Sequence, residues 1–321
     1  MSEPLPKLLV IGGPTATGKT GLAKKLAKDF NGVIINADSR QIYRFMNIGT
    51  DKGQITPTKE TLLVGKQLLQ CFELADSAVL GWLFDLVDPD QYFSLNDYQI
   101  LVKALLNYLW NQGKFPIIVG GTGLYLDAII KNYQLPQVQP DFVFRKQLEL
   151  LTVEQLQQKY QQDTGQLAVL NESDRFNPRR LIRLIEAGKF PKLVKTKSSM
   201  NFSYLFLYPK FAREKLAEKI QKRVEEMLKE GWVDEVKQLI TMGYQDSPLL
   251  RGIGYQNVVQ YLHQELTEAE LIKAITLGHL QYAKRQITWF TGKSRNYALQ
   301  QFDFTDDFQL IIQNIQKFLK Q

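Results

Sequence analysis

The chain has 321 residues, more than one hydrophobic core usually organises, which predicts two domains or one large domain carrying a smaller one. Apolar residues make up 44% and charged residues 23%, the usage of a globular protein and not of a disordered or fibrous one. One cysteine and two histidines exclude a disulfide framework and a zinc cluster. The net charge of +7 is mild, but its sign is the one that nucleic-acid binding requires.

The N-terminus and the apolar runs bear on localisation. Met1–Pro6 lacks the basic and apolar pattern of a secretion signal. The longest apolar runs, such as Leu8–Ile11, are far shorter than the roughly 20 residues of a membrane span. We therefore expect a cytoplasmic protein without membrane contact.

The first half of the chain alternates between strand and helix patterns. An apolar run at Lys7–Gly12 predicts a buried strand, Gly21–Phe30 has the spacing of an amphipathic helix, and Val33–Asn36 predicts a second strand. The alternation continues with a strand at Leu83–Val87, a helix at Asn96–Asn111, a strand at Pro116–Gly120 and a helix at Leu124–Lys131. This order predicts a parallel sheet with helices on both faces.

From Gln134 to Lys197 the chain offers no strand candidate, and its Gln, Glu and Leu content predicts a helical insertion. Ser203–Tyr208 predicts a returning strand, and helices are predicted at Phe211–Glu230, Val233–Met242 and Glu268–Thr288. The predicted organisation is a core formed by residues 1–133 and 198–321, interrupted by an all-helical domain at 134–197.

A phosphate-binding motif lies between the first strand and the first helix. The pattern G-x-x-x-x-G-K-[ST] is matched by Gly13, Pro14, Thr15, Ala16, Thr17, Gly18, Lys19 and Thr20. Glycines allow backbone N–H groups to converge on phosphate oxygens, Lys19 neutralises phosphate charge and Thr20 can hold Mg²⁺. The alternative is an ordinary glycine-rich turn. The motif and its context predict a P-loop NTPase-like α/β fold.

The motif leaves the reaction open, because kinases, ATPases and other diphosphate users share it. No N-K-x-D tetrapeptide for guanine is present, and Asp85 and Asp88 are candidates for the metal-binding carboxylate of an ATPase. Asp38 follows the second strand, where open α/β sheets bind ligands. It is a candidate metal ligand or general base, or, together with Ser39, a helix cap.

Further strings complete a pattern that resembles the tRNA dimethylallyltransferases of bacterial type. They are GPTATGKT at Gly13–Thr20, DSRQIY at Asp38–Tyr43, Ile48–Thr50 with Lys52, Asp85–Pro89, GGTGLY at Gly120–Tyr125, Arg251 with Gly254 and Tyr255, and AKRQITWF at Ala283–Phe290. The matches occur in the order of the family and extend from Gly12 to about Phe290.

The resemblance implies transfer of a dimethylallyl group from dimethylallyl diphosphate to N6 of the adenosine at tRNA position 37, in the anticodon stem-loop. The phosphate loop would then hold a diphosphate leaving group, with Mg²⁺ on Thr20, and Lys19 and Arg223 would neutralise its charge. Asp38 would accept the proton of the amine. Gln41 offers the amide pair that adenine recognition uses.

The resemblance also implies a set of tRNA contacts, and we expect the chain to act as a monomer. The implied contacts are Asp38, Ser39, Arg40, Gln41, Thr122, Arg145, Arg179, Arg180, Arg183, Arg251, Gly254, Tyr255, Lys284, Arg285, Gln286 and Trp289. Arg179–Lys197 and Leu271–Gln300 hold 12 of the 40 cationic residues, as a phosphate-tracking surface would. The alternative for either segment is a solvated helix face.

Several positions depart from the family pattern. Gly81 and Trp82 stand where two histidines are usual, His279 and Leu280 replace a Thr-Arg pair, and Thr291 and Asn177 replace an arginine and an aspartate. Three other functions remain open: a P-loop kinase of small metabolites, a prenyltransferase of free adenine nucleotides, and a non-catalytic RNA-binding module. The AKRQITWF segment favours RNA as the substrate.

Overall fold

The computed structural model describes residues 4–75, 77–135, 140–188, 200–292 and 297–321. The chain divides into two compact units, one formed by residues 1–132 and 200–321 and the other by residues 133–199. Among the described residues, no helix is long and apolar enough to cross a membrane.

The first unit is built on an eight-stranded sheet with the order β3-β4-β5-β2-β6-β1-β7-β8. The strands are β1 (Lys7–Gly12), β2 (Gly32–Asn36), β3 (Ile55–Val64), β4 (Gln67–Leu74), β5 (Val79–Trp82), β6 (Phe115–Gly120), β7 (Ser203–Pro209) and β8 (Leu299–Phe302). All pairs from β5 to β8 are parallel, whereas β3 and β4 form an antiparallel hairpin at one edge. The predicted class of fold, a parallel sheet flanked by helices, is confirmed.

The structure differs from the sequence analysis in three places. The hairpin of β3 and β4 was not predicted, because Ile55–Val64 is half exposed and has no continuous apolar run. The predicted strand Leu83–Val87 is a loop, since β5 ends at Trp82 and both Leu83 and Asp85 have left-handed backbone angles. The C-terminal region, predicted as helical, also contributes β8.

Helices cover both faces of this sheet. They are α1 (Lys19–Asp29), α2 (Leu95–Asn111), α3 (Gly123–Ile130), α8 (Arg213–Lys229), α9 (Trp232–Thr241), α10 (Tyr255–Leu262), α11 (Glu268–Thr291) and α12 (Phe308–Lys320), with a short 3₁₀ helix at Pro248–Arg251. Local sequence explains several starts. Ser94 and Asp97 form a capping box at α2, and Thr267 and Glu270 form one at α11.

Successive side chains of β1 point to opposite faces of the sheet and belong to two different core clusters. Leu8 and Val10 belong to the cluster that includes α2, whereas Leu9 and Ile11 belong to the cluster with α1 and α12. All four side chains have no exposed surface. A strand buried on both faces is apolar at every position, which is why its sequence predicted it.

The second unit is helical throughout its described part. It contains α4 (Phe142–Glu149), α5 (Val153–Thr164), α6 (Glu172–Arg175) and α7 (Pro178–Gly188), with a 3₁₀ helix at Leu167–Val169. Its own core is formed by buried residues of α4, α5 and α7, among them Leu148, Leu156, Leu181 and Ile185. The part of the basic segment Arg179–Lys197 that follows Gly188 lies outside the described residues.

Candidate active site

The phosphate loop has the backbone that an anion cradle requires. Gly13, Ala16 and Gly18 have positive φ angles of 144°, 60° and 80°, and left-handed residues of this kind are part of the backbone turns that bind anions. A Cβ on Gly13 would lie 2.6 Å from the Cδ atom of Pro209. Glycine is therefore required at this position for sterics as well as for φ.

Two cations are placed against this loop. The Lys19 ammonium donates to the Pro14 carbonyl at 2.5 Å, and the Arg223 guanidinium on α8 donates from Nη1 to the Thr15 hydroxyl at 2.9 Å. Burial, and secondarily the neighbouring Arg223 charge, lower the pKa of Lys19 to about 8. Arg223 also forms an ion pair from Nη2 to Asp51 at 2.5 Å. An anion in the loop would meet two positive charges.

Asp38 follows β2 and lines the same cavity as the phosphate loop. Its backbone N–H donates to the Asn36 side chain at 2.9 Å, and its Oδ1 accepts the Arg40 N–H at 2.8 Å. No helix begins at residues 38–43, where the backbone makes turns and an isolated bridge, so the helix-cap alternative is wrong. Asp38 instead shapes a tight turn at the carboxyl end of a parallel strand.

The glycine-rich loop after β6 joins this turn. Thr122 Oγ1 accepts the Ser39 N–H at 3.0 Å, and a Cβ on Gly120 would lie 2.2 Å from the carbonyl oxygen of Ala37. Gln286 on α11 donates to the Gly121 carbonyl at 2.9 Å and accepts the Thr15 N–H at 2.9 Å. Gln286 therefore links the phosphate loop to the loop after β6. The tRNA contacts implied for Thr122 and Gln286 stay predictions.

The segment Met46–Lys52 forms another wall of the cavity. Gln41 Nε2 donates to the carbonyls of Thr50 and Asp51, both at 3.0 Å. The buried Glu235 accepts the N–H groups of Asn47, Ile48 and Gly49 at 2.7, 2.6 and 3.2 Å, and the Tyr255 hydroxyl at 2.7 Å. Sequence reasoning missed Asp51 and Glu235. The match at Ile48–Thr50 was the one signal that this segment mattered.

The carboxylates considered for an ATPase are neutralised by nearby cations. Asp85 pairs with the buried Lys52, and Asp88 pairs with Arg44 at 3.0 Å. Lys52 also donates to the Tyr43 carbonyl at 2.7 Å, so this ion pair fastens the segment Met46–Lys52. The two aspartates have structural partners, which disfavours the ATPase alternative.

Twelve of the predicted tRNA contacts lie in the first unit, and four of them, Asp38, Ser39, Gln41 and Thr122, are half-buried near the turn after β2. The other eight fall into two groups. Exposed side chains are Arg40, Arg251, Lys284 and Arg285. Gly254, Tyr255 and Gln286 are buried and Trp289 is half-buried. The Trp289 indole N–H donates to the Tyr297 hydroxyl at 3.3 Å, and a Cβ on Gly123 would lie 2.2 Å from its ring. Tyr255 and Gln286 line the cavity, Trp289 packs against Gly123, and the RNA contacts of all four residues stay predictions.

In the second unit, the predicted arginines differ in their partners. Arg179 and Arg183 are exposed on α7. Arg180 pairs with Asp174 at 2.6 Å, and Arg145 binds both carboxylate oxygens of the buried Glu186. Two of the four arginines thus carry an ion pair within the unit that RNA contact would have to share or replace.

The departures from the family pattern have plain local roles. Trp82 is fully buried in β5. A Cβ added at the neighbouring Gly81 would lie 2.9 Å from the Leu74 side chain. Leu280 packs against the apolar cluster of α8 and α11, and Thr291 donates to the Ile287 carbonyl at 2.8 Å. His279 lines the cavity, and burial and the Arg223 charge lower its pKa to about 4.

Asn177, which stands where the family has an aspartate, caps a helix. Its side-chain oxygen accepts the Arg180 N–H at 3.2 Å at the start of α7. Asparagine caps helices about as well as aspartate does. The departure therefore leaves the beginning of α7 capped.

These groups enclose one open cavity of about 620 Å³. Its lining includes Lys19, Thr20, Asp38, Asp51 and Arg223. Among the described residues, no cluster of three or more His, Cys, Asp and Glu side chains could hold a metal by itself. Mg²⁺ needs no such cluster, because it usually takes one or two protein oxygens and completes its shell with phosphate oxygens and water. The Thr20 hydroxyl, which lines the cavity, fits that requirement.

A parallel sheet with a G-x-x-x-x-G-K-[ST] loop between its first strand and helix defines the class of phosphate-loop α/β proteins. Within that class, a family model described as IPP transferase matches residues 41–295. A tRNA dimethylallyltransferase of Thermoanaerobacter sp. is 34% identical over 98% of this chain and 97% of its own length. The chain belongs to the IPP transferase family.

Solved structures agree with this assignment. A tRNA isopentenylpyrophosphate transferase of Bacillus halodurans is 33% identical, with a TM-score of 0.66, over 98% of this chain and 95% of its own. A tRNA delta(2)-isopentenylpyrophosphate transferase of Staphylococcus epidermidis is 27% identical, with a TM-score of 0.66, over 98% of this chain and 99% of its own. The family resemblance seen in the sequence is confirmed.

Proposed function

We propose that this enzyme transfers a dimethylallyl group from dimethylallyl diphosphate to N6 of the adenosine at tRNA position 37, adjacent to the anticodon. The products are N6-dimethylallyladenosine and diphosphate. One observation carries the proposal: the phosphate loop, Arg223 and Asp38 line one cavity, which places an anion site beside a carboxylate. Similarity to proteins named tRNA dimethylallyltransferase supports it.

The diphosphate is held by the phosphate loop. Backbone N–H groups of residues 16–20, the Lys19 ammonium and the Arg223 guanidinium line the place where its negative charge develops as the allylic C–O bond breaks. Thr20, which lines the cavity, would hold Mg²⁺, which when bound neutralises diphosphate charge. These groups make diphosphate a better leaving group.

Asp38 accepts the proton of the reacting amine. A bond forms between N6 of adenine and C1 of the dimethylallyl group, the carbon that was bonded to the diphosphate oxygen. The C–O bond to diphosphate breaks, and the N6 proton passes to the Asp38 carboxylate. Only Oδ1 of this carboxylate accepts a hydrogen bond from the described chain. Oδ2 is therefore available for the amine.

The adenosine must leave its stack to reach the cavity, which costs a few kcal/mol. Gln41 uses its amide N–H groups on the Thr50 and Asp51 carbonyls, so its amide oxygen remains to accept from the base. The exposed Arg251, Lys284 and Arg285 are suited to bind phosphates of the anticodon stem-loop. We assign the same role to Arg145, Arg179, Arg180 and Arg183 of the second unit.

The test supplies the purified protein with Mg²⁺, dimethylallyl diphosphate and either an anticodon stem-loop or AMP, and measures the mass added to adenine. Addition to the stem-loop is expected. Addition to AMP alone would indicate a free-nucleotide prenyltransferase, and phosphorylation of a small metabolite by ATP would indicate a kinase.

A substitution of Asp38 tests its role as the base that accepts the amine proton. Asp38→Asn retains an acceptor for the Arg40 N–H but removes the base, so turnover should fall by about 10² or more while RNA affinity changes little. Asp88→Asn, which breaks an ion pair with Arg44, is the matched control and should retain activity. Wild-type turnover in Asp38→Asn would contradict the assignment.

A further inference from the structure

Asp51 stands in the diphosphate-binding cavity although its charge has the same sign as the ligand. Hydrogen bonds fix its backbone: its N–H donates to the Ile48 carbonyl at 2.9 Å, and its carbonyl accepts from Gln41. The segment that carries it is fastened by Glu235 and Lys52. Asp51 also has a left-handed φ of 54°, a conformation that aspartate and asparagine tolerate better than most residues. The carboxylate is thus held beside the cavity by its neighbours.

The partner of this carboxylate is the guanidinium that faces the phosphate loop. Arg223 Nη1 is bonded to the Thr15 hydroxyl at 2.9 Å, and Nη2 is bonded to Asp51 Oδ2 at 2.5 Å. A guanidinium grips an anion bidentately through its two terminal nitrogens or through Nε and Nη2. Arg145 uses the second mode on Glu186 in this protein. Both modes employ Nη2, the nitrogen that Asp51 contacts.

We propose that Asp51 is a resident counter-anion that competes with diphosphate for Arg223 and so weakens retention of the diphosphate product. The inference rests on the proposed function, because it takes the cavity to be a diphosphate site. A bound diphosphate must displace Asp51 from Nη2 or share that nitrogen with it. In either case the affinity for diphosphate is lower than Arg223 alone would provide, and the product leaves more readily.

The size of the effect follows from the exposure of the pair. The side chains of Arg223 and Asp51 are 22% and 55% exposed, so their ion pair is screened by solvent on one side. Removing the charge of Asp51 should therefore tighten diphosphate binding by about three- to tenfold. Asp51→Asn keeps the left-handed backbone and the size of the side chain, which isolates the charge.

The experiment measures the dissociation constant of inorganic pyrophosphate by calorimetry in the presence of Mg²⁺, together with product inhibition by pyrophosphate in the transfer reaction. Asp51→Asn should bind pyrophosphate about three- to tenfold more tightly and be inhibited at correspondingly lower concentrations. Asp234→Asn, an exposed carboxylate paired with Lys237 on α9, is the matched control and should bind as the wild type does.

A double-mutant cycle separates competition for Arg223 from general repulsion between anions. In an Arg223→Gln background, the Asp51→Asn substitution should change pyrophosphate affinity by less than about twofold. Equal effects in both backgrounds, or weaker binding by Asp51→Asn alone, would overturn the inference and leave the proposed function intact. A wild-type protein that binds no pyrophosphate would overturn the proposed diphosphate site itself.

Discussion

The buried carboxylate of Glu235 organises one wall of the candidate active site, and Glu235→Gln tests how much that wall depends on it. The side chain is 8% exposed and accepts four hydrogen bonds, three from consecutive backbone N–H groups at Asn47, Ile48 and Gly49 and one from Tyr255. Glutamine retains one oxygen but turns an NH₂ group toward one pair of these donors. One or two bonds are lost and the charge that strengthens the others is removed.

Hydrogen bonds to a charged group contribute about 1.5–3 kcal/mol each, and unpaired buried donors add a desolvation cost. We expect the free energy of unfolding to fall by about 2–4 kcal/mol. For a unit of this size, that corresponds to a decrease in melting temperature of roughly 5–12 °C. Because the segment also carries Asp51 and Lys52, pyrophosphate affinity should change as well.

The assay follows thermal unfolding by tryptophan fluorescence, since the ring of Trp232 lies 5.5 Å from that of Tyr255. Tyr255→Phe removes one of the four bonds and should lower the melting temperature by a smaller amount, about 2–4 °C. Glu230→Gln, at an exposed position, is the control. A change below about 2 °C in Glu235→Gln would refute the reasoning, because four bonds to a buried charge cannot be replaced without loss.

Three further predictions concern charge in the cavity and on the surface. Because the pKa of Lys19 is about 8, its ammonium is present below that pH, and pyrophosphate affinity should decline as pH rises through 8. Calorimetry should show a smaller decline in Lys19→Arg, because the arginine charge does not titrate in this range. Arg223→Gln should lower kcat/KM for dimethylallyl diphosphate by about 10², whereas the exposed Lys229→Gln on the same helix should not, and equal losses would contradict the assignment. Lys284→Ala should reduce the slope of log K for RNA binding against log salt concentration by about one, whereas the exposed Lys317→Ala should leave it unchanged. An unchanged slope in Lys284→Ala would contradict a phosphate contact by Lys284.

The core of the sheet could be predicted because its residues carry a local pattern. The strands at Lys7–Gly12 and Pro116–Gly120 are apolar at nearly every position, since helices cover both of their faces. The hairpin of β3 and β4 carries no such pattern, because the edge strand β3 has no buried residue and polar residues interrupt the apolar ones in β4. The apolar residues of Leu83–Val87 favoured a strand, but Leu83 has a left-handed backbone angle that is incompatible with one.

The candidate site divides in the same way. By itself, the sequence determined that a phosphate loop follows the first strand and that Asp38 lies at the end of the second, because a motif and a strand end are local features. Only the tertiary structure decided that Arg223 contacts Thr15 and that Glu235 fastens the segment carrying Asp51. These partners are more than 180 residues apart along the chain, and a hydrogen bond over such a separation leaves no periodicity or spacing that a single sequence could display.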